Sequence, residues 1–230
     1  MNRKGERRMS YSISSSKGNG KFYTLGEEIF NSVSHGIGTL LAIACCAVAV
    51  VFTAFTGDPW RIVSASVYGA CMIFLFLFST LYHAIAHKGA KNVLRKFDHL
   101  GIFLLIAGSY TPLTLIVFRG VLGWVMFGVI WFAAILGVVL NSINVERFKK
   151  FSMITYVLMG WAVIVTLGPL VKSVATGGVT LLAVGGIMYT VGIVFYKLQK
   201  KVRYMHSIWH LFVIAGALFQ FFGIFFYILL

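Results

Sequence analysis

Charge is what this sequence most lacks: 26 of its 230 residues, 11%, are Asp, Glu, Lys or Arg, where a soluble domain carries about 25%. With 59% hydrophobic residues and a mean hydropathy of +0.89 beside that deficit, an ordinary soluble fold is excluded. The gaps between charges are long. Charge-free runs of 20 or more residues cover 29–57, 62–87, 99–118, 120–145, 151–171, 173–196 and 204–230. Each is long enough, as a helix, to cross about 30 Å of hydrocarbon. None alternates polar and apolar residues over about ten positions, which excludes a transmembrane β-barrel. Disorder and a collagen-like repeat are excluded by the same hydrophobicity. Cysteine is scarce as well: Cys45, Cys46 and Cys71 lie inside the runs with neither zinc-knuckle nor redox-pair spacing, and read as core packing.

The expected fold is therefore all-α, a seven-transmembrane helix bundle over residues 22–230, preceded by a flexible basic tail over 1–21. The first apolar run, 29 residues long, far exceeds the apolar stretch of a cleaved signal peptide and is read as a retained span. Thr24 with Glu27 three residues on is a capping-box pattern, so a helix should begin near Leu25, lying along the interface before it turns into the membrane. The connections, at 58–61, 88–97, 118–121, 143–151, 171–177 and 197–204, leave no room for a second domain. Gly36, Gly38, Gly185, Gly186 and Gly216 suit close helix approach in lipid. Pro112 and Pro169 are placed to kink or end helices.

A net charge of +14 raises the question of nucleic acid. Placement answers it. Of the 20 Lys and Arg, 17 fall on the N-terminal segment and on the second–third, fourth–fifth and sixth–seventh connections, and only Arg61, Arg119 and Lys172 on the other side. Positive residues favour the cytoplasm, so the N-terminus is expected inside and the C-terminus outside, in a multi-pass protein of the cell membrane. The partners of such a face are anionic lipid headgroups rather than nucleic acid.

An ionisable side chain inside a bilayer is expensive, so those in the spans are functional candidates. The orientation, derived without histidine, places all six histidines near cytoplasmic ends: His35, His83, His87, His99, His206 and His210. His206 and His210 stand one helical turn apart, about 6 Å in rise, and both can reach one ion. Ser79, His83 and His87 repeat the four-residue interval on the second run, and Asp98 opens the third. Three imidazoles plus a carboxylate or water is the donor set of catalytic zinc, which lowers the pKa of a bound water to about 7. His87, beside Lys88, reads as a solvated interfacial residue rather than a ligand. His99 reads as a partner of Asp98 or a packing histidine, and for His35 a supporting or packing role is favoured. Ser79 could simply bond back to a carbonyl one turn earlier. The run Phe219, Phe221, Phe222, Phe225, Phe226 and Tyr227 reads as a lipid-facing belt.

Four motifs in order carry a resemblance: Glu27-Glu28-Ile29-Phe30-Asn31-Ser32-Val33-Ser34-His35-Gly36; Ser79-Thr80-Leu81-Tyr82-His83; Phe97-Asp98-His99 with Gly108-Ser109-Tyr110-Thr111-Pro112; and His206-Ser207-Ile208-Trp209-His210. Over about residues 22–230 the chain resembles the bacterial hemolysin III branch of the progestin and adipoQ receptor superfamily. The resemblance implies a seven-helix membrane protein with an inner-leaflet zinc site and kinship to alkaline ceramidases. By motif, the zinc ligands fall on His83, His206 and His210; Asp98 would hold or deprotonate the zinc-bound water, and Ser79 would serve the substrate oxyanion. The receptors for adiponectin have Tyr where this chain has His99, which argues against a receptor. Two readings compete. One is a zinc-dependent hydrolase of amide or ester bonds in membrane lipid; the other is a membrane-perturbing hemolysin or a regulator of membrane lipid and fluidity. A pore or ion pathway is disfavoured because no second polar stripe continues to the external face, and a structural zinc would need four protein ligands.

Overall fold

A computed structural model describes residues 23–230; the tail expected over 1–21 lies outside the described residues. The described chain is all-helical, with seven helices long and apolar enough to span a membrane. α1 runs Leu25–Phe55, α2 Pro59–Ala84, α3 Lys88–Pro112, α4 Val121–Ile143, α5 Val145–Trp161, α6 Leu167–Ser173, α7 Thr176–Leu198 and α8 Met205–Ile224. The fifth span is composite, with a 3₁₀ segment Ala162–Thr166 joining α5 to α6. π-helical turns follow α3 at Leu113–Val117 and α8 at Phe225–Leu229.

Local chemistry sets the starts. The Thr24 hydroxyl accepts from the Glu27 amide at 3.3 Å while the Glu27 carboxylate accepts from the Thr24 amide at 2.9 Å, a complete capping box. α1 then continues unbroken for 31 residues, so no break in the helix separates its first turns from the rest of the span. Asp58 caps α2, with Pro59 at the first helical position, where its missing N–H leaves no intrahelical bond unmade. Two expected loops are largely helix: α3 already begins at Lys88, and a single residue, Asn144, separates α4 from α5 and caps the latter. Charge marks where a span leaves lipid, not where its helix ends. Both prolines stand at changes of helical type, Pro112 just before a π turn and Pro169 just after the 3₁₀ segment, as expected of a residue that lacks a donor and crowds the preceding turn.

The helices form a ring in which α1 packs on α2 and α8, α2 on α3, α3 on α4 and α7 on α8. The third span is the most enclosed of the seven. It is tied outward by polar bonds: the Tyr156 hydroxyl donates to the His99 carbonyl at 2.9 Å, the Tyr110 hydroxyl to the Gly160 carbonyl at 3.3 Å, and the Trp131 indole to Thr111 at 3.2 Å. Gly185 and Gly216 bring α7 and α8 together, since a Cβ on Gly185 would stand 2.9 Å from the Gly216 carbonyl oxygen; Gly186 faces open space. The aromatic belt is only half as expected. Phe222, Phe226 and Tyr227 are exposed, but Phe221 and Phe225 turn inward and are buried.

Gly101 sets the α2–α3 spacing, because a Cβ there would lie 2.9 Å from the Leu75 Cα, a backbone atom that cannot rotate away. Gly101→Ala should therefore destabilise the bundle by about 1–3 kcal/mol, the usual range for overpacking. Thermal unfolding in detergent reads this, with Gly186→Ala as the neutral comparison.

Candidate metal centre

Three of the six histidines converge. His83 on the last turn of α2, and His206 and His210 on the first turns of α8, each offer a ring nitrogen, and these atoms all lie within 4.8 Å of one another. All three side chains are buried. The four-residue interval on α8 brings the His206 and His210 Nε2 atoms to 3.1 Å, close to the separation of about 3.3 Å that two nitrogens take on a tetrahedral zinc with bonds of 2.0–2.1 Å.

Partners on α1 fix which nitrogen faces the cluster. His83 Nδ1 lies 2.6 Å from the Glu28 carboxylate, whose other oxygen accepts from Lys91 Nζ at 2.8 Å. A proton on Nδ1 satisfies that carboxylate and leaves the Nε2 lone pair free; Nε2 is buried and has no partner among the described residues. Ser34 does the same for His210. Its hydroxyl donates to the Asn31 carbonyl at 3.1 Å and so accepts from His210 Nδ1 at 3.4 Å, which again leaves Nε2 unprotonated. Asn31 is held by the Ser207 hydroxyl at 2.7 Å and lies 3.5 Å from His83 Nδ1. A carboxylate or hydroxyl behind each imidazole is the arrangement metal sites use to orient ligands and raise their basicity. The His206 and His210 Nε2 atoms stand within hydrogen-bond distance of each other, and a cation between them would take the place of the proton they share. The donor set fits zinc.

The remaining sequence candidates separate. Ser79, one turn before His83, has a buried hydroxyl with no partner among the described residues, so the back-bond to a carbonyl is absent, although neighbouring Thr80 makes one to Phe76 at 2.7 Å. His87 is not on α2. That helix ends at Ala84, and the His87 ring instead accepts from the Ala90 amide at 3.3 Å, capping α3. The polar stripe of Ser79, His83 and His87 therefore stops at His83. His35 stacks on His210 with ring centroids 3.6 Å apart and meets Phe76 edge-on, a packing and supporting role. His99 Nδ1 donates to the Arg95 carbonyl at 2.9 Å and stands 3.7 Å from Asp98.

Asp98 is not among the side chains whose donor atoms gather within 4.8 Å. Tyr23 stacks on His206 with centroids 4.9 Å apart, meets His83 edge-on, and donates its hydroxyl to Gln199 at 2.8 Å. Burial, aided by Tyr82, Tyr196, Asp98 and Glu28, pushes the Tyr23 phenol well above its ordinary value. The phenol is thus a neutral lid over the histidines, and Asp98 lies within electrostatic reach of it.

Glu28, Asn31, Ser34, Lys91 and Ser207 are the residues that sequence reasoning left without a role. For Asn31 and Ser34 the signal was present on α1, where Glu27, Asn31, Ser34, His35 and Thr39 form a buried polar face on an otherwise apolar span.

The sequence profile of the family described as Haemolysin-III related matches residues 23–221. The chain is 42% identical over 205 residues to the Hemolysin-3 homolog of Bacillus subtilis (strain 168), covering 89% of this chain and 96% of that protein. Hemolysin-3 of Bacillus cereus is 42% identical over 203 residues, covering 88% and 92%. The Monocyte to macrophage differentiation factor of Homo sapiens is 30% identical over 220 residues, covering 91% and 88%.

Proposed function

The chain belongs to the Haemolysin-III related family of multi-pass membrane proteins, and from that premise we propose that it is a zinc-dependent hydrolase of amide or ester bonds in lipids of the cell membrane. The observation that carries this reading is the set of three buried imidazoles whose ring nitrogens converge within 4.8 Å, two of them oriented from behind by Glu28 and Ser34. A zinc ion held there by His83, His206 and His210 would supply Lewis acidity, polarising a carbonyl and making water acidic enough to yield a proton near neutral pH. Asp98 serves as the general base that takes that proton. The Ser79 hydroxyl, buried and unspent, is available to donate to the oxygen that gains charge as the carbonyl is attacked. Tyr23 closes the end of the bundle over the histidines and limits entry of bulk water.

The centre sits at the cytoplasmic side in this reading, because 17 of the 20 basic residues flank that end of the spans. Reporter fusions near Lys91, Lys149 and Lys200 should all read as cytoplasmic; an external signal at Lys91 would invert the orientation and move the histidines to the outer leaflet.

The printed names of two relatives favour a second reading, lysis without hydrolysis. One experiment separates them. Purified protein in liposomes, supplied with ceramide-like amides and phospholipid esters, should release free fatty acid in a zinc-dependent manner without releasing an entrapped dye. Dye leakage with no fatty acid would replace the hydrolase by the membrane-perturbing reading.

A further inference from the structure

Resting on that reading, and adding to the same site, we propose that the groove between α1 and α8 binds one acyl chain of a membrane lipid and seats it against Ser34, behind His210. Ile29, Val33, Ser34 and Ile37 of α1 and Leu211 and Ile214 of α8 line a cavity of about 580 Å³, within the range of about 300–1,000 Å³ typical of small-molecule sites. Ile29, Val33 and Ile37 repeat every four residues, so they form one ridge along α1 about 12 Å long at 1.5 Å per residue. No charged side chain lines it. The wall belongs to two membrane-spanning helices, and its apolar residues are half exposed on the flank of the bundle. What enters such a groove from a bilayer is hydrocarbon.

Two features distinguish it from a bare lipid-facing surface. Its floor carries Ser34, which is both part of the lining and 3.4 Å from His210 Nδ1, the ring nitrogen turned away from the cluster, so the groove meets the centre from behind His210. Its other end closes at Tyr204, which follows the exposed cations Lys200, Lys201 and Arg203. An anionic headgroup is favoured at that end by charge, and the apolar tail by the groove. The occupant is thus a chain of an anionic membrane lipid, and its acyl carbonyl would travel along the groove toward Ser34.

The test uses the full-length protein in liposomes of phosphatidylcholine and phosphatidylglycerol, with trace phosphatidylglycerol bearing a diazirine on one acyl chain. After irradiation, labels should concentrate on residues 29–37 and 211–214. Val33→Trp and Leu211→Trp, which fill the groove from opposite walls, should each cut that labelling by about tenfold, the loss expected when two methylenes are kept out. Val129→Trp, at an exposed position of α4 across the bundle, should change nothing. Zinc analysis of the same samples shows that each variant is folded around its centre. Labels spread evenly over all exposed apolar residues, or undiminished in both filled variants, would overturn the proposal. Labelling needs no turnover: groove labelling without fatty acid release upholds the groove and sinks the hydrolase, and release without groove labelling sinks the groove alone.

Discussion

His210→Ala is expected to leave the purified protein without stoichiometric zinc, where the wild type carries about one per chain. Three imidazoles make up the donor set at this centre among the described residues, so removing one leaves two, too few for the closed or nearly closed coordination that zinc sites require. His206→Ala should do the same, because its Nε2 stands 3.1 Å from that of His210 and the two form the closest pair in the cluster. The loss also reads out as stability. Binding to the folded state alone adds about 4 kcal/mol when free metal is 1,000 times its dissociation constant, so a chelator should lower the melting temperature of wild type and leave that of His210→Ala unmoved. His87→Ala is the internal control. Its ring caps α3, so the variant should keep its zinc and lose only a cap, about 1 kcal/mol. A His87→Ala protein without metal, beside a His83→Ala protein that retains it, would move that ligand from His83 to His87 and refute the centre described above.

What the sequence made legible follows from which forces are local. Seven spans could be read because transfer into hydrocarbon depends on run length, and the capping box at Thr24 and Glu27 because it closes within four residues. His206 and His210 were readable as a pair because a helix fixes the i,i+4 geometry before any tertiary contact forms. His83 joins them only because α2 and α8 both pack on α1, a fact spacing alone does not contain; the shared depth of the histidines and the Ser79–His83 interval pointed to it, and the family resemblance agreed. Glu28 was hidden by its position. It lies just before the first charge-free run, where an acidic residue in the first turn of a helix is commonplace, and only the approach of α2 turns it into the carboxylate behind His83. His87 misled for the opposite reason: four-residue periodicity was extended past Ala84, where α2 has already ended.

Glu28 and Asp98, two of the carboxylates at this end of the bundle, should part in opposite ways when each is made an amide. Glu28→Gln keeps the shape and a hydrogen bond to His83 but removes the charge that holds the proton on Nδ1 and pairs with Lys91. Loss of such a supporting carboxylate typically costs about 10–100-fold in metal affinity, so competition against a chelator should show weaker zinc binding, and saturating zinc should restore fatty acid release. Asp98→Asn removes none of the three convergent imidazoles. It should bind zinc as wild type does, yet lose about 10²–10⁴-fold in fatty acid release that no concentration of zinc restores, because an amide cannot accept the proton from attacking water. The pair of measurements also covers the reverse case. If Asp98→Asn loses the metal while Glu28→Gln keeps both metal and turnover, Asp98 is a fourth ligand, the centre is closed by protein, and zinc at this site holds α2, α3 and α8 together rather than activating water.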